Sequence, residues 1–375
     1  MHIKNILILQ LCMLMLNKGH AQQCTDENVA SLPGSWRAAM KGDCDHSAAD
    51  MAREKVLLDS IAQFIRGHLT WRPVGGDITA GNAYSIRGLD YRPAPVRKLG
   101  NTYKTFIFFQ HYFCNNGKIN REDYVDRLEV SVNEIPFEFN RTFFISPVDQ
   151  YGNPLQQDPE TDKYGFISEL PVRKNGYFTY RKNHQSAQPD AEDHFTNNHR
   201  LLTKGGRLPF LLMPKKEYYE KWKLQYSNSI DRAKVVKEKM EVLAKTTGNN
   251  ADVEFEEHHI VQLQGYIDKI NRLLAAHTAE ELSRPAFSGE ENGEFLDNND
   301  PGNRHDFVIV PDLTYYTAGV PRSTPQIFYI NFDCQYSKKG NKGGKRYADE
   351  DFVAELERIK MVDLLTEKLR PLLGN

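Results

Sequence analysis

Cysteine is scarce in this chain, and no two cysteines stand at the Cys-x-x-Cys spacing of a structural zinc site. No Gly-x-Ser-x-Gly elbow is present, which removes the usual signature of a serine hydrolase. Charge of one sign is lacking as well. The 48 basic residues face 50 acidic ones, so nothing in the overall balance points to nucleic acid as a partner. Beyond the first residues, no apolar run approaches the roughly 20 residues that cross a bilayer, and no transmembrane segment is expected.

The apolar run that does exist lies at the start. Lys4 supplies a positive charge, Ile6 to Leu16 are apolar except for Gln10, and Gly19 and Ala21 form a small-x-small site. This three-part layout predicts a secretory signal over residues 1–21, cleaved to expose Gln22. Its loss takes Lys4 and Lys18 but no acid, which moves the formal charge from −2 to −4. The expected location is therefore periplasmic or extracellular. Lipid anchoring at Cys24 is the less favoured reading, because Ala21-Gln22-Gln23 puts no small residue directly before the cysteine. Cys12 leaves with the signal, and the remaining Cys24, Cys44, Cys114 and Cys334 predict two disulfides. The expected pairs are Cys24–Cys44, which are close in sequence, and Cys114–Cys334, each of which ends an aromatic strand-like run.

Apolar residues make up 40% of the chain and aromatics 11%, enough for a real core. Asp45 or Ser47 caps a predicted helix starting near Ala48, whose stripe runs through Leu58, Ile61 and Ile65 and ends near Gly67. Residues 70–100 are rich in Gly and Pro, with a short strand expected around Tyr84 to Ile86. Strands are then predicted at Tyr103 to Cys114, Arg127 to Asn133, Phe137 to Ile145, Lys163 to Leu170 and Tyr177 to Tyr180. Asn175-Gly176 gives the strongest hairpin signal in the chain. Asn183 to Arg200 reads as a polar loop. A long helix followed by antiparallel strands predicts an α+β fold with a helix on a sheet, in a cystatin-like or NTF2-like order.

From Lys215, behind Pro214, the residues Trp222, Tyr226, Ile230, Ala233, Val236, Met240 and Leu243 recur at helical spacing. Gly248-Asn249-Asn250 interrupts them, and a second helix carries Leu263, Tyr266, Ile267, Ile270 and Leu274 on one face. These predict an antiparallel helical hairpin whose Lys- and Glu-rich outer faces are solvated. An acidic loop over Ser288 to Arg304, strands at Phe307 to Val310 and Gln326 to Phe332, a basic glycine-rich loop at Ser337 to Arg346 and a helix from Asp349 to Leu373 complete the expectation. The predicted organisation is a signal at 1–21, an α+β body at 22–204, a hairpin at 205–282, and a return to the body over 283–375.

Three clusters invite chemistry and fall short of it. Gly340 to Lys345 lacks the Gly-Lys-Ser/Thr ending of a phosphate loop and reads as a solvated basic loop. His258 and His259 are adjacent on a helix, about 100° apart, rather than four apart on one face as a zinc protease requires. Asp190, Glu192, Asp193, His194 and His199 could hold a divalent ion, but their irregular spacing favours a plain polar loop. No cofactor and no metal are expected.

Leu208-Pro-Phe-Leu-Leu-Met-Pro-Lys-Lys-Glu-Tyr-Tyr219 and Pro311-Asp-Leu-Thr-Tyr-Tyr316, which runs on to Pro321 and Pro325-Gln326, carry a likeness, together with Pro33-Gly-Ser-Trp36. Together they resemble exported proteins of unknown function from Bacteroidota-type bacteria. The resemblance implies export and a shared architecture, and it transfers no catalytic residue. The expected function is that of an exported, non-enzymatic binding or envelope-associated protein with a protein or polysaccharide partner. A secreted hydrolase acting on a glycan or peptide polymer is the alternative.

Overall fold

The computed structural model describes residues 24–38, 44–70, 72–84, 100–121, 127–137, 139, 141–143, 163–179, 193–288, 306–337 and 355–373. The expected signal at 1–21, the acidic loop and the basic glycine-rich loop lie outside them, apart from Ser288 and Ser337 at the loop edges.

After a one-turn helix at Asp26–Ala30, β1 (Trp36–Ala38) leads to helix α1 (Ala48–His68), capped by Ser47, whose hydroxyl accepts the Asp50 N–H. Strands β2 (Gly76–Tyr84), β3 (Tyr103–Asn115), β4 (Lys118–Arg121) and β5 (Arg127–Val132) follow. Next come β6 (Arg141–Thr142), β7 (Lys163–Ile167), β8 (Val172–Lys174), β9 (Tyr177–Thr179), β10 (Asp193–Thr203) and β11 (Phe210–Leu212). Helices α2 (Lys215–Thr247) and α3 (Ala251–Ala276) form the hairpin. Then β12 (Phe287–Ser288), β13 (Asp306–Pro311) and β14 (Ile327–Ser337) precede the closing helix α4 (Met361–Leu369).

The main sheet runs in the order β1-β2-β3-β5-β14-β10-β9-β8, with β4 folded back on β3. It is antiparallel except for the β1–β2 pair. A second sheet, β11-β13-β7-β6, carries β12 beside β13. Helices α1 and α4 cover one face of the main sheet: Leu58, Ile61, Leu365 and Leu369 bury themselves against Ile107, Val130, Phe328 and Ile330. Each such side chain contributes about 1.5–3 kcal/mol on leaving water. The second sheet lies against part of the opposite face. Alternation along β13 sends Ile309 toward Leu201 and Tyr329 of the main sheet and Val308 toward the hairpin base. That base is aromatic: Phe143 stacks on Tyr164 at 4.1 Å and meets Trp222 edge-on at 5.9 Å. The fold is thus α+β, built as helices, sheet, second sheet and hairpin.

Three local readings are corrected. Residues 193–200, expected in a loop, belong to β10, which pairs along its whole length with β14. Gly76–Tyr84 forms a nine-residue strand where only a short one near Tyr84 was expected. Among the described residues of the expected strand Phe137 to Ile145, namely 137, 139 and 141–143, the backbone ladder takes in Arg141–Thr142 and not Phe137, Phe139 or Phe143, although these three are buried.

The disulfide pairing is corrected too. Cys24 is joined to Cys114, with Cα atoms 5.7 Å apart, and Cys44 is free. The sheet explains why. Residues just ahead of β1 sit at the Gly76 end of β2, where Gly34 donates to the Pro73 carbonyl and Ser35 to Asp77. Tyr112, near the end of β3, donates there to the Gly75 carbonyl. Strand β1 then runs parallel to β2 and carries the chain to the other end, where His46 meets the ring of Tyr84. Cys24 and Cys44 are therefore separated by the length of β2, about 25 Å at ~3.3 Å per residue. The register sets Asp333 level with Phe108, with β5 between them. Cys334 is thus two strands from β3 and several residues short of Cys114, beyond the roughly 4.4–6.8 Å reach of a disulfide.

Candidate functional site

The far face of the main sheet, opposite α1 and α4, changes character along its length. Where the second sheet covers it, Leu201, Tyr329 and Ile309 form an apolar core. Toward the middle, the same face carries Lys104, Phe106 and Phe108 of β3, Glu129 and Ser131 of β5, Asn331 of β14 and His199 of β10. Strict alternation puts them there, because Ile107, Val130 and Ile330 occupy the helix-covered side.

Glu129, Asn331 and His199 are direct cross-strand neighbours on three adjacent strands. All three are buried, at 4%, 4% and 1% exposure, which sets them apart from ordinary surface polar residues. Glu129 accepts from Lys104 Nζ at 3.2 Å and from Ser131 Oγ at 3.1 Å. The His199 Nδ1 lies 2.7 Å from the Tyr329 hydroxyl, with the two rings near parallel. The Asn331 Oδ1 is buried without a hydrogen-bond partner, a state that costs about 1–3 kcal/mol. Beside Glu129, the half-buried rings of Phe106 and Phe108 stack at 4.4 Å. The site thus offers a carboxylate, a carboxamide, an imidazole and an aromatic platform. Strand spacing holds Glu129 and His199 about 10 Å apart, so they form no acid–base pair with each other.

A second polar knot lies under α1. Glu54, fully buried, meets His46 Nδ1 at 2.8 Å and accepts from Asn101 Nδ2 at 2.7 Å. The free thiol of Cys44 is nearby and accepts the His46 N–H. Burial pushes its pKa up, the carboxylates of Glu54 and Asp45 push it further, and the single N–H opposes them. The shift favours the thiol over the thiolate that acts as a nucleophile. Asn101, Asn133 and Ser323 extend this knot into the Pro/Tyr-rich segment ahead of β14. There Asn133 Oδ1 accepts from the Gln326 N–H and Tyr103 donates to the Ser323 carbonyl. That motif is scaffolding: its Tyr315 hydroxyl bridges the Lys204 N–H and the Gln326 carbonyl.

The clusters singled out from the sequence fall only partly within the described residues. Asp190 and Glu192 lie outside the described residues, as does Gly340 to Lys345, and the side chains of Asp193, His194 and Cys334 are likewise undescribed. His199 faces Tyr329 and Asn331. His258 bonds its own helix at the Glu254 carbonyl, and His259 approaches Glu256 at 3.6 Å, both on the hairpin surface. Among the described residues, no three His, Cys, Asp or Glu side chains are grouped as a metal ion needs. Glu129, Asn331 and the Phe106/Phe108 platform escaped sequence reasoning. The available signal was polar residues alternating with apolar ones in three strands, and only the register shows that they share a face. No described helix is long and apolar enough to cross a membrane. Comparison with protein-family models, with curated proteins and with solved structures finds no match to the chain.

Proposed function

We propose that the chain is an exported, non-enzymatic binding protein of the Bacteroidota-type group its motifs resemble, and that the far face of the main sheet holds a saccharide ligand. The observation that carries this reading is the buried row Glu129–Asn331–His199 beside the stacked rings of Phe106 and Phe108. A sugar presents an apolar C–H face, which suits an aromatic ring, and a rim of hydroxyls, which suits a carboxylate, a carboxamide and an imidazole. The unpartnered Asn331 Oδ1 is closed off from solvent, so a hydroxyl would satisfy it only as binding parts the side chains over it. Export is supported by the Cys24–Cys114 disulfide, since such bonds persist in oxidising compartments. Dispersal of the titratable groups across strands, rather than convergence on one point, supports binding over hydrolysis.

The purified chain is titrated by calorimetry with neutral and acidic oligosaccharides, and the mixtures are then examined by mass spectrometry. Saturable binding without new products is expected, weakened about tenfold by Asn331→Leu, a loss near 1.4 kcal/mol. Phe106→Ser, at a half-buried position, gives a parallel loss, read at a temperature well below its unfolding so that the lost stacking on Phe108 does not enter. Absence of binding across the set, or conversion of an oligosaccharide, overturns the reading.

A further inference from the structure

The hairpin outgrows the body that seats it. Helix α2 is about 50 Å long at ~1.5 Å per residue, and its residues buried in the aromatic base end near Ile230. Farther out, the large apolar side chains Leu243 and Phe255 are 52% and 66% exposed. Leu243 stands one residue off the seam, which is held by Ala244 beside it and is flanked about two turns nearer the body by the Lys237–Glu257 ion pair at 2.7 Å.

One side of this arm is distinct. On α2 a row at three- and four-residue spacing starts at Trp222, inside the aromatic base, and continues through Ser229, Arg232, Val236, Lys239 and Leu243. On α3 the matching row starts at Tyr266, which packs on that base and stacks on Tyr226, and runs outward through Gln262 and His259 to Phe255. Each row is turned roughly 90–100° from its helix's seam in the same rotational sense, and in an antiparallel pair that puts both on one side of the hairpin. Neither contains an acid between base and tip, while Arg232, Lys239 and Lys269 are basic. Asp252, one turn beyond Phe255, is the nearest carboxylate on that row, and Glu256 touches His259 from the seam. The remaining hairpin acids, including Asp231, Glu238, Glu254 and Asp268, fall on other rows.

We infer that this side of the arm docks on an anionic lipid surface. Basic residues flanking an exposed phenyl and leucyl side chain form the pattern that settles at a bilayer interface, with cations at the headgroups and apolar groups at the acyl boundary. An acidic polymer rewards Arg232 and Lys239 but leaves Leu243 and Val236 in water. A second copy meeting the same face brings like charges together. The docking goes beyond the saccharide reading and uses none of its residues.

The test is co-sedimentation of the purified full chain with vesicles of phosphatidylglycerol and phosphatidylcholine, compared with phosphatidylcholine alone. Binding to the anionic vesicles only is expected, reduced about tenfold or more by high salt. Phe255→Asp and, separately, Lys239→Glu reduce it about tenfold, with unchanged circular dichroism because both positions are exposed. Asn331→Leu leaves vesicle binding as it was, which keeps this result separate from the saccharide site. Equal binding to neutral vesicles, indifference to both hairpin substitutions, or retention on an acidic polysaccharide without retention on vesicles refutes the docking.

Discussion

Gly34 and Gly76 meet backbone to backbone: a methyl group built on Gly34 would sit 1.6 Å from the Gly76 carbonyl oxygen. The contact lets the segment before β1 lie flat on the start of β2, where Ser35 donates its N–H and hydroxyl to Asp77. Pro33-Gly34 reads locally as a turn; here Gly34 is needed for closeness.

Gly34→Ala should therefore destabilise the chain by about 2–4 kcal/mol. This reverses the gain of roughly 0.4–1 kcal/mol seen where alanine fits. Urea midpoints compare the two proteins. An unchanged or raised midpoint would show that the two backbones are not in contact.

Non-reducing peptide mapping should recover Cys24 crosslinked to Cys114 and Cys44 as an alkylatable thiol. The bond closes a 90-residue separation, so replacing both cysteines with serine should cost about 2–5 kcal/mol. A peptide joining Cys114 to Cys334 would contradict the register of β3, β5 and β14.

Asp50 predicts acid sensitivity. Burial raises its pKa, but hydrogen bonds from Ser47, Arg53 and Ser323 outweigh burial and hold it at about 2. The unfolded value is about 3.9, so the unfolded chain binds more protons in between. The stabilisation is complete above that value and is lost as pH falls toward 2. Asp77, buried but held low by Tyr112, Ser35 and Arg37, acts in the same direction. Arg53 is half exposed, and with that discounted the Asp50 share is about 1–2 kcal/mol. Asp50→Asn should flatten the fall in urea midpoint between about pH 5 and pH 2.5. Identical slopes in both proteins would remove Asp50 from the account.

The long periodic elements were legible in the sequence because their burial is one-sided. Alternation in Tyr103 to Phe109 and the helical rows of α1, α2 and α3 each announce a single core-facing side. Strand β10 was not legible: its polar run Asn197-Asn198-His199 crosses the polar stretch of the far face, where no apolar alternation exists to mark a strand. Strand β4 is a short run, Lys118-Ile119-Asn120-Arg121, with a single apolar residue that stays exposed, and it is held by a turn at Asn116 and Gly117, whose φ values of 51° and 72° suit a tight hairpin. The candidate site was hidden for a further reason. Glu129, Asn331 and His199 are neighbours only through pairing across more than 100 residues, and pairing partners leave no local trace.

The hairpin enters and leaves at one point, where Pro214 bridges Pro285 and Ala286 donates to the Met213 carbonyl. This bears on the order of folding events. Strands β11 and β13 must find each other across nearly 100 residues, a search that grows costlier with the length of free chain. Helices α2 and α3 can zip together early from contacts near in sequence, and their closure brings Met213 and Ala286 side by side. The remaining search then spans only the short stretch from Ala286 to Asp306. Early closure of the arm would thus draw the two distant strands of the second sheet together.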